Sequence, residues 1–161
     1  MIVVSDTSPL RGLLLLDLLH ALPSLFGEVL IPPAVADELK VNVPGMGSLD
    51  AAQVSFIKIM PPSGAVSMNT ALDGLGKGEC EAILLAAQLG ADYLLVDDRS
   101  ARQAAVRMGV TPLGLLGVLV RAKEAGLVKT VAPLLDRLED EMTFRFSTDL
   151  RQRILRMTGE V

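Results

Sequence analysis

One cysteine, Cys80, one histidine, His20, and no tryptophan occur among the 161 residues of this chain. A lone cysteine cannot close an intrachain disulfide, which fits a reducing cytoplasm. One Cys and one His also exclude metal sites built from those ligands, so any metal must be held by oxygen. Aromatic residues are scarce, with one Tyr and four Phe, leaving little surface on which single-stranded nucleic acid could stack. Basic excess is absent too: 15 Lys and Arg against 19 Asp and Glu give a net charge of −4. That balance speaks against binding nucleic acid through a broadly basic surface. Long apolar runs are missing, since Pro112–Val120 is far shorter than the roughly 18 residues of a membrane span. Met1–Ser5 carries no basic segment, and Asp17 and His20 interrupt the leucines that follow, so no signal peptide is expected.

What is present is aliphatic. Half of the residues are hydrophobic and the mean hydropathy is +0.46, which excludes a disordered chain. The length fits one domain, 1–161, of a size able to bury a core without disulfides. No repeat or linker divides it.

Short apolar runs alternate with helical patterns along the chain. Met1–Ser5, Val29–Ile31, Val54–Met60 and Tyr93–Asp97 read as buried strands, with a late one near Val110-Thr111. Ser8-Pro9 suggests a helix cap and first position, leading into a helix over Leu10–Leu22 that Pro23 stops. Further helices are expected over Ala34–Lys40, Glu79–Leu89 with Gly90 as its stop, Arg99–Met108, Leu113–Ala125, Val131–Glu141 and Thr148–Met157. Alternation of this kind predicts an α/β fold: a three-layer α/β/α sandwich with a parallel central sheet and a helical C-terminal section.

Ligands of such sheets bind outside the carboxyl ends of the strands, and acids fall there. Asp6 follows the first strand, Asp37 and Glu38 lie on the helix after the second, and Asp97 and Asp98 follow the fourth. Glu79 and Glu81 occupy the first turn of a helix that starts at the same rim. Each acid alone has a structural explanation as a helix cap, a dipole partner or a solvated face. Gathered at one rim, however, carboxylates disfavour one another's charge. A divalent cation relieves that conflict, and oxygen ligands suit Mg²⁺ or Mn²⁺. The pattern therefore reads as a metal-dependent phosphoryl-transfer site. Other acidic α/β sites fit less well. Ser8 stands where a dehalogenase-type phosphatase wants an acid, and Gly74–Glu79 lacks the spacing of a P-loop. His20 and Cys80 read as structural.

Four blocks, VVSDTSPL, LIPPAVADEL, LGKGECEAILLAAQLGADYLLVDDRSAR and LGLLGVLVRAKEAGLV, together resemble a PIN domain over nearly the whole chain. Within it they are similar to uncharacterised PIN-like proteins grouped with VapC-type toxins. The resemblance implies an α/β/α nuclease, mostly ribonucleases using Mg²⁺ or Mn²⁺, many being toxins neutralised by a small antitoxin protein. It implies Asp6 as the first acid, Glu38 as the second, the GECEAI block as the third and VDD as the fourth. Two departures stand out. GECEAI offers Glu79 and Glu81 where PIN toxins show an Asp, and is similar to the glutamate pair of flap endonucleases. Residues two apart on a helix point about 200° apart. Glu79 aligns with the sheet-facing Ala82, Ile83 and Ala86, whereas Glu81 aligns with the outward Gln88, so Glu79 is favoured and both stay open. VDD has Val96 where toxins show Thr, a register that favours Asp98 as ligand with Asp97 nearby.

The expected catalytic set is thus Asp6, Glu38, Glu79 and Asp98, and the expected metal set adds Glu81 and Asp97. Thr7, Ser8, Arg99 and Arg102 are candidates for substrate contact, with RNA the expected substrate. Arg145, Arg151, Arg153 and Arg156 form either solvated helix faces, an RNA-binding edge or a docking face for an acidic partner. The apolar surplus suggests a homodimer.

Overall fold

The computed structural model describes residues 1–64, 72–142 and 144–161. Five short strands form one all-parallel sheet: β1 (Val3–Ser5), β2 (Val29–Ile31), β3 (Ile57–Ile59), β4 (Tyr93–Leu95) and β5 (Pro112–Leu113), in the order β3-β2-β1-β4-β5. Helices flank it: α1 (Thr7–Leu15), α2 (Ala21–Phe26), α3 (Pro33–Lys40), α4 (Lys77–Leu89), α5 (Arg99–Arg107), α6 (Leu115–Glu124), α7 (Ala132–Glu141) and α8 (Thr148–Met157). This is the three-layer α/β/α arrangement expected from the alternation of apolar runs. The inner strands are covered on both faces, which is why they read as unbroken apolar runs; Val3, Val4, Val29, Ile31, Leu94 and Leu95 are all fully buried. Among the described residues, no helix is long and apolar enough to cross a membrane.

The strand order positions the site. From β1 the chain moves outward through β2 and β3, then returns to place β4 on the other side of β1. The connections therefore diverge between β1 and β4, leaving a crevice beyond the ends of those two strands. Asp6 closes β1 there, with its N–H donating to the Leu95 carbonyl at 2.9 Å.

Several local expectations are corrected. The leucine-rich segment is two helices, because Asp17 adopts a left-handed backbone (φ 56°) and breaks it. Pro23 does not stop a helix; it sits in the first turn of α2, where its missing N–H costs no hydrogen bond. Ser8 is not the cap of the first helix, since the helix already starts at Thr7 with Asp6 at the N-cap position. Pro112 and Leu113 form β5, not the start of a helix; α6 begins after Gly114. Gly90 ends α4 in a left-handed conformation, as expected.

The C-terminal helices are fastened by one carboxylate. Glu160 accepts hydrogen bonds from the N–H groups of Val131 (2.8 and 2.9 Å) and Ala132 (3.0 Å), acting as an N-terminal cap for α7 from beyond the end of α8. Lys123 pairs with it at 3.4 Å. Burial pushes its carboxyl up, but the Ala132 and Val131 N–H groups, Thr158 and Lys123 outweigh that and bring it down to about 2. Its folded pKa lies below the unfolded value, so its stabilisation is present above about pH 4.5 and is lost as pH falls towards 2. Glu160→Gln should lower stability at pH 7 by about 1–3 kcal/mol, with the difference shrinking towards pH 2 in urea unfolding. An equal loss at every pH would contradict the charge-dependent account.

Candidate active site

The crevice beyond β1 and β4 holds a cleft of about 630 Å³ lined by Asp6, Thr7, Ser8, Glu38, Glu79, Asp97 and Asp98. Asp6 lies at its floor, only 5% exposed. Its Oδ1 is buried without a hydrogen-bond partner among the described residues. Its carboxyl is pushed up to about 7, chiefly by burial; the Thr7 N–H opposes this, and the nearby Glu79, Glu38 and Asp97 charges add to it. A buried acceptor left unpaired is costly, and like charges around it compound the cost.

Glu79 enters from the first turn of α4. Its Oε1 accepts from the Gly76 N–H at 3.3 Å, while Oε2 is buried with no donor to it among the described residues. Burial raises its pKa, the Gly76 N–H counteracts that, and Asp98 and Glu38 raise it further, Asp98 also from hydrogen-bonding reach. Glu38 comes from α3 and accepts a hydrogen bond from the Thr7 hydroxyl. It lies flat against α4 at Gly78, where a Cβ would collide with Oε1. A Cβ at residue 78 would therefore push the Glu38 carboxylate out of its present position.

The aspartates after β4 each carry a structural load. Asp97 Oδ1 accepts from the Leu115 N–H at the start of α6 (2.7 Å), and Oδ2 accepts from the Ser8 hydroxyl (3.2 Å). Burial raises its pKa against those hydrogen bonds and the Arg102 charge. Asp98 caps α5, with Oδ2 accepting from the Ala101 N–H at 3.0 Å.

The structure thus brings Asp6, Glu38, Glu79, Asp97 and Asp98 to one cleft together with Thr7 and Ser8. Glu81 is not brought there. Its Oε2 accepts from the Ala34 N–H at 2.9 Å, so it caps the first turn of α3. The expectation of Glu81 as a metal ligand is corrected on that ground, because Glu79 and Glu81 leave α4 in different directions. Asp37 is exposed and does not line the cleft. Arg99 and Arg102 line a neighbouring groove instead. Cys80 is buried near the Leu72 and Leu75 carbonyls, and burial raises its thiol pKa, consistent with a structural role.

Sequence reasoning missed two contributors. Arg11, 8% exposed, lines the cleft and donates to the carbonyls of Glu38 (2.6 Å), Val41 (3.0 Å) and Gly47 (3.3 Å). It thereby fixes the end of α3 that carries Glu38. Its signal was a lone cation in PLRGLLLL, at helical spacing from Thr7 and Ser8. The segment between α7 and α8 also reaches the cleft with Met142 and Phe144, which the sequence did not single out, beside Arg145, which it offered as part of an RNA-binding edge.

A family model described as a PIN domain matches residues 2–160. The chain belongs to the PIN-domain family. No curated protein matches it. PIN domains are in general nucleases and use divalent metal ions, so the cleft can be tested against such an ion. Among the described residues, no three acidic, His or Cys side chains converge as a ready-made cation site. The reason is visible in the hydrogen bonds: Asp97, Asp98 and Glu38 are partly turned to Leu115, Ala101 and Thr7. The donor chemistry of this PIN domain nevertheless fits, because two buried carboxylate oxygens, on Asp6 and Glu79, are left unpartnered in an all-oxygen setting.

Asp6 raised to about 7 from 3.8 implies that the metal-free fold loses stability as pH rises through 7. Asp6→Asn should therefore stabilise the metal-free PIN domain by about 1–3 kcal/mol at pH 8. The gain should shrink as pH falls towards 4, read by thermal unfolding in chelator. A variant less stable than wild type at pH 8 would contradict the unpaired-carboxylate account.

Proposed function

We propose that this PIN domain is a metal-dependent endoribonuclease that hydrolyses RNA phosphodiester bonds with Mg²⁺ or Mn²⁺. The observation that carries the reading is the pair of buried carboxylate oxygens on Asp6 and Glu79 that find no donor among the described residues, surrounded by further acids at the switch point of the sheet. Asp6 and Glu79 would hold the ion, with Glu38 and Asp98 beside them. When bound, the ion supplies positive charge to phosphoryl oxygens and acidifies water. Thr7 orients the Glu38 carboxylate, Ser8 orients Asp97, and Arg11 holds the end of α3 in place. With its carboxyl pushed up to about 7, Asp6 is partly protonated near neutral pH in the metal-free protein, and that proton would leave on loading.

The finer biological reading is a toxin of the VapC-like kind, restrained by a small antitoxin protein in a reducing cytoplasm. Growth arrest on expression, relieved by the product of an adjacent small reading frame, is the test of that role. A homodimer remains part of the proposal, to be read by light scattering.

A second reading is favoured by one observation: Asp97 and Asp98 both cap helices, and no cation site stands ready-made among the described residues. On that reading the fold is a non-catalytic module that binds RNA or protein. Single-stranded RNA incubated with Mn²⁺ or Mg²⁺ separates the two. Wild type should cleave, while Asp6→Asn should lose about a hundredfold or more. Gly78→Ala, which displaces the Glu38 carboxylate, should fall in the same direction. No cleavage by wild type, or equal cleavage by Asp6→Asn, supports the non-catalytic reading instead.

A further inference from the structure

A second groove, of about 670 Å³, opens beside the acidic cleft and shares Asp97, Phe144 and Arg145 with it. The connection between α7 and α8 therefore walls both. The groove's character is opposite to that of the cleft. Arg99 and Arg102 project from α5, and Arg145 faces them from the α7–α8 connection. Among the described residues, Arg99 and Arg145 form no ion pair, whereas Arg151 is spent on Asp136 and Glu139 and Arg137 on Glu141. Arg102 is pre-set: its Nη1 donates to the Val96 carbonyl at 3.3 Å and passes over Gly114, where a Cβ would stand 2.6 Å away. Among the described residues the one acid lining the groove, Asp97, is already engaged by Leu115 and Ser8.

Aromatic surface completes it. Phe144 and Phe146, half of the chain's phenylalanines, are half-buried with ring centroids 6.2 Å apart and tilted by 54°. Both pack partly on the core and partly line this groove.

We propose that the groove binds a single-stranded polynucleotide segment next to the bond presented to the acidic cleft. Its phosphates pair with Arg99, Arg102 and Arg145, and its bases pack on Phe144 and Phe146. Arginines recognise phosphate by charge-assisted, bidentate hydrogen bonds. A base reaches an aromatic wall inside a groove only when it is unpaired, which selects single strands over duplex. Continuity with the cleft distinguishes this ligand from an acidic peptide, since a strand lying through both grooves presents a phosphate to the acidic centre and a peptide does not. The orientation towards the cleft rests on the nuclease reading; the binding itself does not.

The test is fluorescence anisotropy in chelator, so that no turnover occurs, using short labelled single-stranded RNA, the same sequence as single-stranded DNA, and an RNA duplex. Arg99→Ala and Arg145→Ala, both at exposed positions, should each weaken single-strand binding about five- to tenfold and reduce the salt slope by about one. Phe146→Leu, which keeps an apolar side chain against the core, should weaken it about fivefold with the slope unchanged. Single-stranded DNA should lose affinity in the same variants, and duplex should bind more weakly than either single strand. The proposal is overturned by wild-type affinity in all three variants, by duplex binding as tightly as single strands, or by a polyglutamate peptide competing as well as the strand. Variant-sensitive binding without any cleavage in Mn²⁺ would end the nuclease reading and leave the groove standing. Cleavage with variant-insensitive binding would end the groove alone.

Discussion

Everything at this site follows from placing a carboxylate almost wholly out of solvent at the floor of a cleft. Asp6 closes the central strand at the point where the sheet's connections diverge, and its Oδ1 is buried without a donor among the described residues. A fold selected only for stability would put an apolar or amide side chain there. The neighbours deepen the conflict, because Glu38 and Glu79 are brought close rather than held apart. Gly78 permits that approach and Arg11 anchors the helix end that delivers Glu38. Burial, like charge and an unpaired acceptor are three costs with one common remedy, a hard cation.

The remaining acids divide their duties. Asp97 and Asp98 tie down the starts of α6 and α5, so the two helices bordering the cleft are registered by the same residues that line it. Helix caps and cation ligands both need a carboxylate aimed at positive charge, and a residue at a strand's end can serve either use. That dual use explains why the acids are rigidly placed before any ion arrives.

Much of this was legible in the sequence. The short apolar runs and the acids that follow Ser5 and Leu95 locate the strands and their carboxyl ends, because a parallel sheet leaves no polar face to blur the pattern. Less legible were features decided by three-dimensional neighbours. Helical spacing favours Glu79 over Glu81, but that Glu81 caps α3 depends on Ala34 lying opposite, which spacing along α4 does not encode. The break at Asp17 is set by a single left-handed residue within a leucine-rich run. The swing of Phe144 and Arg145 over the cleft depends on how α7 and α8 pack, including the Glu160 cap. The scarcity of aromatics and the charge of −4 discouraged a nucleic-acid partner on composition alone. Placement changes that inference, since two of the few phenylalanines and two arginines without an ion pair among the described residues stand beside the acids.

The central claim is that the buried carboxylates at the β1–β4 crevice form an incomplete cation site. Calorimetric titration of Mn²⁺ into metal-free protein near pH 6.5, repeated in two buffers of different ionisation enthalpy, tests it most directly. The account predicts binding by wild type with a buffer-dependent heat that reports proton release, and the loss of both in Asp6→Asn. Absence of Mn²⁺ binding, or binding undiminished in Asp6→Asn, would contradict it.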